Sequence, residues 1–522
     1  MVVSYQSVAG KVIVSQMRNE NKKAEIETGS KESNFWNPLM DRRRFIRSMG
    51  TAALATQMGI LDFASSLFAE PAKPGRAVVR VGFVRPDVDR YFMGWPGADW
   101  DNPEHQRHYT NILKQAAEDL NVEVRFTREV LKNEEVTGEF MAAVKREKPD
   151  GLMIIGMSLN ESWPHMNRIA KNRGNIPTVI FSPVGTSFTG HLQETRHIPG
   201  VFVAAVQDEE WLAQGLHMLD TVWQMRNTRL LVVVGEEKYE KAVKHLGTTL
   251  CYYPESDLCN AARSTKVTDK VRAIAGYYEK IADKIIEPGK EDILNAARMY
   301  VTCRTLMEQE KCDGISINCL PLVAAPIGSD HHIWEPCLAF SKLRDEGIVG
   351  GCEADVHAAL SMHLCHLLVR RPGFQQDPFP LTVRNTLGGA HCSCGTRLRG
   401  FDMDPEPLIL RSHSEADRGV ATQVLWPVGE RMTIMEMVET ETGYDRMRLG
   451  GGMVMSNIEP DPQRPDDYEE AGGCRTSVEV TVDNCPDTRS VKGFHQMFIL
   501  GDVIQDFRNY AQLAGIKVED IC

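Results

Sequence analysis

The sequence of 522 residues has no apolar run after residue 70 that reaches the roughly 20 residues of a membrane-spanning helix. It also lacks an excess of positive charge, because its formal net charge is −12. The first 69 residues hold nine Lys and Arg against six Asp and Glu, which leaves a net charge of −15 for the rest of the chain. A surface of this sign repels nucleic acid and anionic lipid. We therefore predict no nucleic-acid partner and no stable membrane insertion.

Cysteine is absent from the first 250 residues, and all thirteen cysteines lie at or after Cys251. Their number is odd, no paired CxxC motifs occur, and a chain of this length buries enough core to fold without cross-links. We therefore expect no disulfide scaffold. Most of the cysteines are interpreted as small buried hydrophobic residues.

The glycine-rich loops that bind nucleotide phosphates are also missing. The segment Val81–Arg85, at the end of the first predicted strand, has no glycine turn. The segment Val234–Glu237, which follows the second leading strand, places two acidic residues where phosphates would lie. GxxxxGK[ST] does not occur either. These absences count against an exported NAD(P)-dependent oxidoreductase, which we keep only as an alternative.

The N-terminal region has the pattern of a targeting signal. Arg42 and Arg43 precede Phe45 and Arg47, and a mildly apolar stretch of small residues follows, over Met49–Phe68. This pattern resembles a twin-arginine export signal.

We therefore interpret residues 1–69 as a signal region, with Ala69 as its last residue and either Met1 or Met40 as the initiator. The predicted location is periplasmic, with the twin-arginine export machinery as a partner. A basic tail on a cytoplasmic protein is the alternative.

The body of the chain alternates short apolar runs with segments of helical spacing, which predicts parallel sheets covered by helices. The apolar runs are Val78–Phe83, Val122–Phe126, Gly151–Gly156, Pro177–Phe181, Gly200–Ala205, Arg229–Gly235, Gly314–Cys319 and Ile348–Cys352. After residue 372, alternating segments with frequent Gly and Pro predict antiparallel strands. We predict an α/β fold: two Rossmann-like parallel-sheet domains, over 76–205 and 206–371, followed by a β-rich, barrel-like C-terminal domain over 372–522.

The most informative segment surrounds Glu353. A predicted helix over Cys337–Asp345 precedes the strand Ile348–Cys352, and an apolar helix follows from Val356. Glu353 therefore lies at the carboxyl end of a parallel strand, where α/β sheets bind their ligands. Asp355 lies where a helix begins and is interpreted as its N-cap, so Asn should replace it without loss of activity.

Three further residues complete a candidate metal site. Asp377 precedes Pro378 and reads as part of a fixed turn, His391 follows a predicted strand, and His495 precedes another. Two carboxylates with one or two histidines suit Mn²⁺ or a similar divalent ion. Each histidine alone could equally have a structural role.

The body resembles the L-fucose isomerase and L-arabinose isomerase family, especially its divergent sugar-isomerase-like branch. The resemblance extends over most of residues 78–520. The motifs that carry it are Gly94–Gly97, Asp313–Cys319, Cys352–Asp355, Ala390–Cys392, Arg411–Ser414, Gly493–His495 and Gly501–Asp502.

This resemblance implies a metal bound by Glu353, Asp377 and His495, with His391 as a further ligand by analogy with the arabinose branch. It implies a homo-oligomer and a metal-dependent aldose–ketose isomerase acting through an ene-diol, with Glu353 and Asp377 as the catalytic acid and base. The family is cytoplasmic, whereas this chain has an export-like signal, so the sugar substrate stays open. A non-catalytic exported sugar-binding protein on the same fold is the second alternative.

Overall fold

The first half of the fold is built around two five-stranded sheets. The computed structural model describes residues 75–93, 97–183, 185–206, 208–458 and 474–522. The predicted signal region lies outside these residues. Among the described residues, no helix is both long and apolar enough to span a membrane.

The first sheet is entirely parallel, in the order β4-β1-β5-β6-β7. The strands of this part are β1 (Val78–Val84), β2 (Arg90–Met93), β3 (Ala98–Asp101), β4 (Glu123–Phe126), β5 (Gly151–Gly156), β6 (Thr178–Pro183) and β7 (Val201–Val206). Its helices are α1 (Asn102–Asp119), α2 (Glu134–Glu147), α3 (Ser162–Asn172) and α4 (Glu210–Asn227). β5 and β6 are buried at every position, which explains their continuous apolar sequence: helices cover both faces.

The second sheet has the order β13-β12-β8-β10-β9, with only β9 antiparallel to its neighbour. The strands of this part are β8 (Arg229–Val233), β9 (Tyr239–Ala242), β10 (Thr249–Tyr253), β11 (Lys284–Ile285), β12 (Gly314–Ile317) and β13 (Val349–Cys352). Its helices are α5 (Glu255–Ser264), α6 (Asp269–Ile281), α7 (Lys290–Glu310), α8 (Cys319–Ala324), α9 (Cys337–Asp345) and α10 (Val356–Val369). The predicted bounds of α9 are confirmed, and α10 begins at Val356 as predicted.

The C-terminal region is rich in antiparallel strands, as predicted. Its elements are β14 (Phe374–Leu381), β15 (Thr386–His391), β16 (Leu408–His413), β17 (Arg418–Val424), β18 (Arg431–Thr440), β19 (Gly443–Asn457), β20 (Thr476–Val480), β21 (Gln496–Leu500), helix α11 (Ile504–Ala514) and β22 (Lys517–Asp520). Seven strands form one sheet in the order β18-β21-β14-β15-β20-β19-β22, and β18 also pairs with β19. Six of them therefore close into a ring. β11, β16 and β17 form a separate small sheet.

The predicted turn at Asp377 is wrong, because this residue lies within β14. β14 pairs with β21 over Phe374–Gln376 and with β15 from Asp377 onward. Beyond Gln376, one side of β14 therefore has no strand partner within the described part of the chain. A proline such as Pro378, which donates no N–H, is tolerated there.

Ten of the eleven free cysteines are buried, which confirms that most of them act as core residues. One disulfide joins Cys485 to Cys522 near the C-terminus. It is a single local cross-link and no scaffold, but pairing of these two residues was not expected from their spacing.

Candidate metal centre

Glu353 directly follows β13, at the carboxyl end of the second sheet, as predicted. Its backbone φ is +61°, and that of Ala354 is +51°. Residues other than Gly rarely adopt this left-handed backbone conformation, and the strain that it causes is concentrated at functional sites. The turn leaves 30% of the Glu353 side chain exposed.

Strand pairing brings Asp377 beside His495. The last pair between β14 and β21 is Gln376 with Gln496. Asp377 is the next residue of β14, and His495 directly precedes β21. Asp377 Oδ1 lies 3.1 Å from Nε2 of His495. His495 also has a left-handed backbone, with φ +53°, so two of the predicted ligands are held in a strained conformation.

His391 ends β15, whose pairing with β14 joins Ala390 to Asp377. Its Nε2 lies 3.8 Å from Oε1 of Glu353, and Nε2 of His495 lies 3.6 Å from Oε2 of the same carboxylate. The structure therefore brings together all four residues predicted as ligands. Glu353, His391 and His495 have ligand atoms within 4.8 Å of one another.

The donor atoms of this cluster fit a divalent ion. Nε2 of both histidines and Oδ1 of Asp377 are buried without a hydrogen-bond partner, since the 3.1 Å approach lacks hydrogen-bond geometry. Buried polar atoms are seldom left unsatisfied unless a water, ion or ligand completes them. Ligands of one octahedral ion of this class lie about 3 Å apart, so the observed gaps need only small movements to close on an ion.

Asp355 has a second partner that its position at a helix start does not indicate. Its Oδ1 accepts the backbone N–H of Ala358, which confirms the N-cap interpretation. Its Oδ2 also lies 2.8 Å from Nδ1 of His495, 140 residues away in the chain. Asp355 therefore fixes the ring orientation of His495, the usual arrangement behind a metal-binding histidine.

Two carboxylates, Asp355 and Asp377, determine the charge of His495 in the absence of an ion. Burial by itself lowers the pKa of His495, but the hydrogen bond to Asp355 and the Asp377 carboxylate outweigh it and raise the pKa to about 10. Burial also raises the pKa of Glu353, and the nearby histidines only partly offset this. Without an ion, His495 therefore carries a proton on Nε2, which a bound metal ion would displace.

His495 and His391 differ in how readily their Nε2 atoms could bind a metal, because their Nδ1 atoms have different partners. Nδ1 of His495 keeps a proton on Asp355, so a metal ion replaces only the proton on Nε2. Nδ1 of His391 instead accepts the backbone N–H of Cys392 at 2.9 Å. A neutral His391 then carries its proton on Nε2. For Nε2 to bind a metal, that proton would have to move to Nδ1, and the hydrogen bond from Cys392 would be lost. His495 is therefore the better ligand of the two.

Other histidines near the site have structural partners. On α10, Nε2 of His363 lies 2.7 Å from the Thr228 hydroxyl, and Nε2 of His366 lies 2.8 Å from the Pro372 carbonyl. The His357 ring packs against Tyr444. These contacts account for the positions of the three histidines without a bound metal.

No protein-family model and no curated protein matches this chain. The assignment below therefore depends on the geometry of the cluster and on the sequence motifs.

The contact with His495 reverses the expectation that Asn replaces Asp355 without loss. Asp355→Asn should weaken metal binding about 10- to 100-fold, the usual effect of losing such a supporting group. Asn caps helices as well as Asp, but its single carbonyl oxygen cannot accept both the Ala358 N–H and the His495 Nδ1–H. Mn²⁺ titration calorimetry measures the effect. Asp101→Asn, at the N-cap of α1, is the matched control and should bind Mn²⁺ normally. Equal affinity in the two variants would show that Asp355 is only a cap.

Proposed function

We propose that this protein is a metal-dependent aldose–ketose sugar isomerase acting through an ene-diol intermediate. The observation that carries the proposal is the convergence of Glu353, Asp377, His391 and His495, with both imidazole Nε2 atoms and Asp377 Oδ1 left unsatisfied. Glu353, Asp377 and His495 would hold Mn²⁺ or another divalent ion. The sequence resemblance to the fucose and arabinose isomerase family supports the same reading.

The residues suit the chemistry of the reaction. Isomerisation moves a proton between C1 and C2 of the sugar and exchanges the oxidation states of these carbons. A bound divalent ion would stabilise the negative charge that develops on the two substrate oxygens. The raised pKa of Glu353 brings it closer to neutral pH, where a carboxyl group both accepts and returns a proton efficiently. Asp377, on the neighbouring strand, supplies a second carboxylate for the other proton transfer.

The buried histidines keep these carboxylates in place. Only 2% of the His495 side chain and 7% of the His391 side chain are exposed, against 30% for Glu353 and 37% for Asp377. The carboxylates are therefore the more accessible groups of the cluster, and in this proposal the sugar would approach from their side. The two five-stranded sheets correspond, in this proposal, to the two Rossmann-like domains of a homo-oligomeric isomerase.

A screen of aldoses and ketoses with added Mn²⁺ tests the proposal. We expect interconversion of at least one aldose–ketose pair, and loss of that activity after chelation. Binding of a sugar without turnover in any metal would instead favour the exported sugar-binding protein. Turnover that needs added NAD(P) would favour the oxidoreductase.

We also propose that the protein is exported to the periplasm by the twin-arginine route. The disulfide between Cys485 and Cys522 suits an oxidising compartment. Replacing Arg42 and Arg43 with Lys should leave the protein in the cytoplasm, with this pair reduced. Cell fractionation combined with alkylation of free thiols measures both effects. Unchanged export of the double variant would contradict the targeting claim.

A further inference from the structure

Arg344 is a fully buried arginine in the last turn of α9, with 0% of its surface exposed. Within the described ranges, no carboxylate lies within salt-bridge distance of its guanidinium. Burying an unpaired cation is costly, and arginine is seldom fully buried without a carboxylate partner. An ion pair with a carboxylate therefore does not account for a guanidinium at this position.

The groups that accept hydrogen bonds from Arg344 come from segments that carry the proposed metal ligands. Nε donates to the carbonyl oxygen of Gly350 at 3.0 Å, three residues before Glu353. Nη1 donates to the carbonyl oxygen of Ser393, two residues after His391.

The second terminal nitrogen reaches a third such segment. Nη2 donates to Oε1 of Gln375 at 3.3 Å, and this amide lies two residues before Asp377. The same oxygen accepts the backbone N–H of Cys352 at 3.1 Å, the residue before Glu353. One guanidinium therefore joins β13, β14 and the end of β15.

Gly350 allows α9 to lie this close to β13 because glycine has no side chain. A Cβ on Gly350 would lie 2.9 Å from the Cα of Phe340, so only glycine lets α9 pack this closely against β13. The next residue of the helix reinforces the contact. Asp345 accepts the backbone N–H groups of Thr396 and Arg397, at 2.6 and 3.0 Å, and so holds the segment that follows His391.

We propose that Arg344 is a positioning residue that holds Glu353, Asp377 and His391 at the separation required for metal binding. The inference rests on the proposed metal site. Its planar guanidinium donates in several fixed directions at once, which a lysine ammonium on a flexible stem cannot reproduce. In this proposal Arg344 is not a metal ligand, and it acts through its hydrogen bonds to two backbone carbonyls and to the Gln375 amide.

The test compares Arg344→Lys with Arg304→Lys in the full-length protein. Arg304 is also buried and packs against the end of α9, but it pairs with the Glu346 carboxylate at 3.1 Å. Both variants should lower the melting temperature. Only Arg344→Lys should weaken Mn²⁺ binding, by about ten-fold or more, the effect known for groups that orient metal ligands.

An unchanged Mn²⁺ dissociation constant in folded Arg344→Lys would overturn this proposal while leaving the metal site intact. If the wild-type protein itself fails to bind Mn²⁺, the proposed function fails and this inference fails with it. Should Arg344→Lys not fold, Gln375→Met takes its place, because it removes one acceptor of the same network. That variant should also bind Mn²⁺ more weakly, and wild-type affinity in it would equally overturn the proposal.

Discussion

Replacing Glu353 with Gln should lower sugar isomerisation by about 10²- to 10⁴-fold, the usual contribution of a positioned acid or base. Glutamine keeps the shape of the side chain and one ligand oxygen, so some metal should remain bound. It cannot accept a proton from carbon, however, because the amide is a very weak base. Turnover and bound metal are measured on the same samples.

Glu123→Gln is the matched control for this change. Glu123 lies on β4 and has the same side-chain exposure as Glu353, 30%, but its partners are surface arginines. Its replacement should leave turnover unchanged. Full activity of Glu353→Gln would show that another group moves the proton.

Replacing Asp377 with Asn should abolish measurable turnover and also weaken metal binding. The carboxylate supplies a negative charge beside Nε2 of His495 and is a candidate base, and the change removes both properties. The expected fall in turnover is at least about 10²-fold from the lost base alone. Steady-state kinetics at saturating Mn²⁺ measure the loss of the base, and a separate Mn²⁺ titration measures the loss of metal affinity.

Asp483→Asn provides the comparison, because 38% of its side chain is exposed, against 37% for Asp377. Asp483 pairs with Arg431 and lies on a different part of the β-rich region. It should bind Mn²⁺ and turn over sugar normally. If Asp377→Asn behaves in the same way, Asp377 is neither ligand nor base.

Local patterns predicted the parts of the site that depend on local structure. An acidic residue after a buried strand marked Glu353, and the order of strand and helix around it is as expected. Histidines next to predicted strands marked His391 and His495. Glu353, His391 and His495 lie at or beside strand ends, as those patterns indicate. Asp377 lies within β14, and the pairing of β14 with β21 brings it beside His495.

The remaining features depend on pairing that local patterns do not specify. Asp377 read as a turn because Pro378 follows it, whereas β14 changes partners there and tolerates a proline. The position of Asp355 at a helix start accounts for an aspartate there, so the sequence gives no reason to expect its contact with His495. Arg344 gave no signal, since nothing in a helical segment reveals that its side chain reaches the carbonyl oxygens of Gly350 and Ser393 and the side-chain amide of Gln375.

Titration of the metal-free protein with Mn²⁺ tests the central claim most directly. We predict one ion per chain in the wild-type protein, with affinity strongly reduced in His495→Ala and in Asp377→Asn. Loss of His495 removes one metal–ligand bond but leaves both ligand carboxylates in place. We therefore expect its main effect to be a weaker affinity for Mn²⁺. Absence of Mn²⁺ binding in the wild-type protein, or equal binding in all three proteins, would contradict the assignment of this cluster as a metal centre.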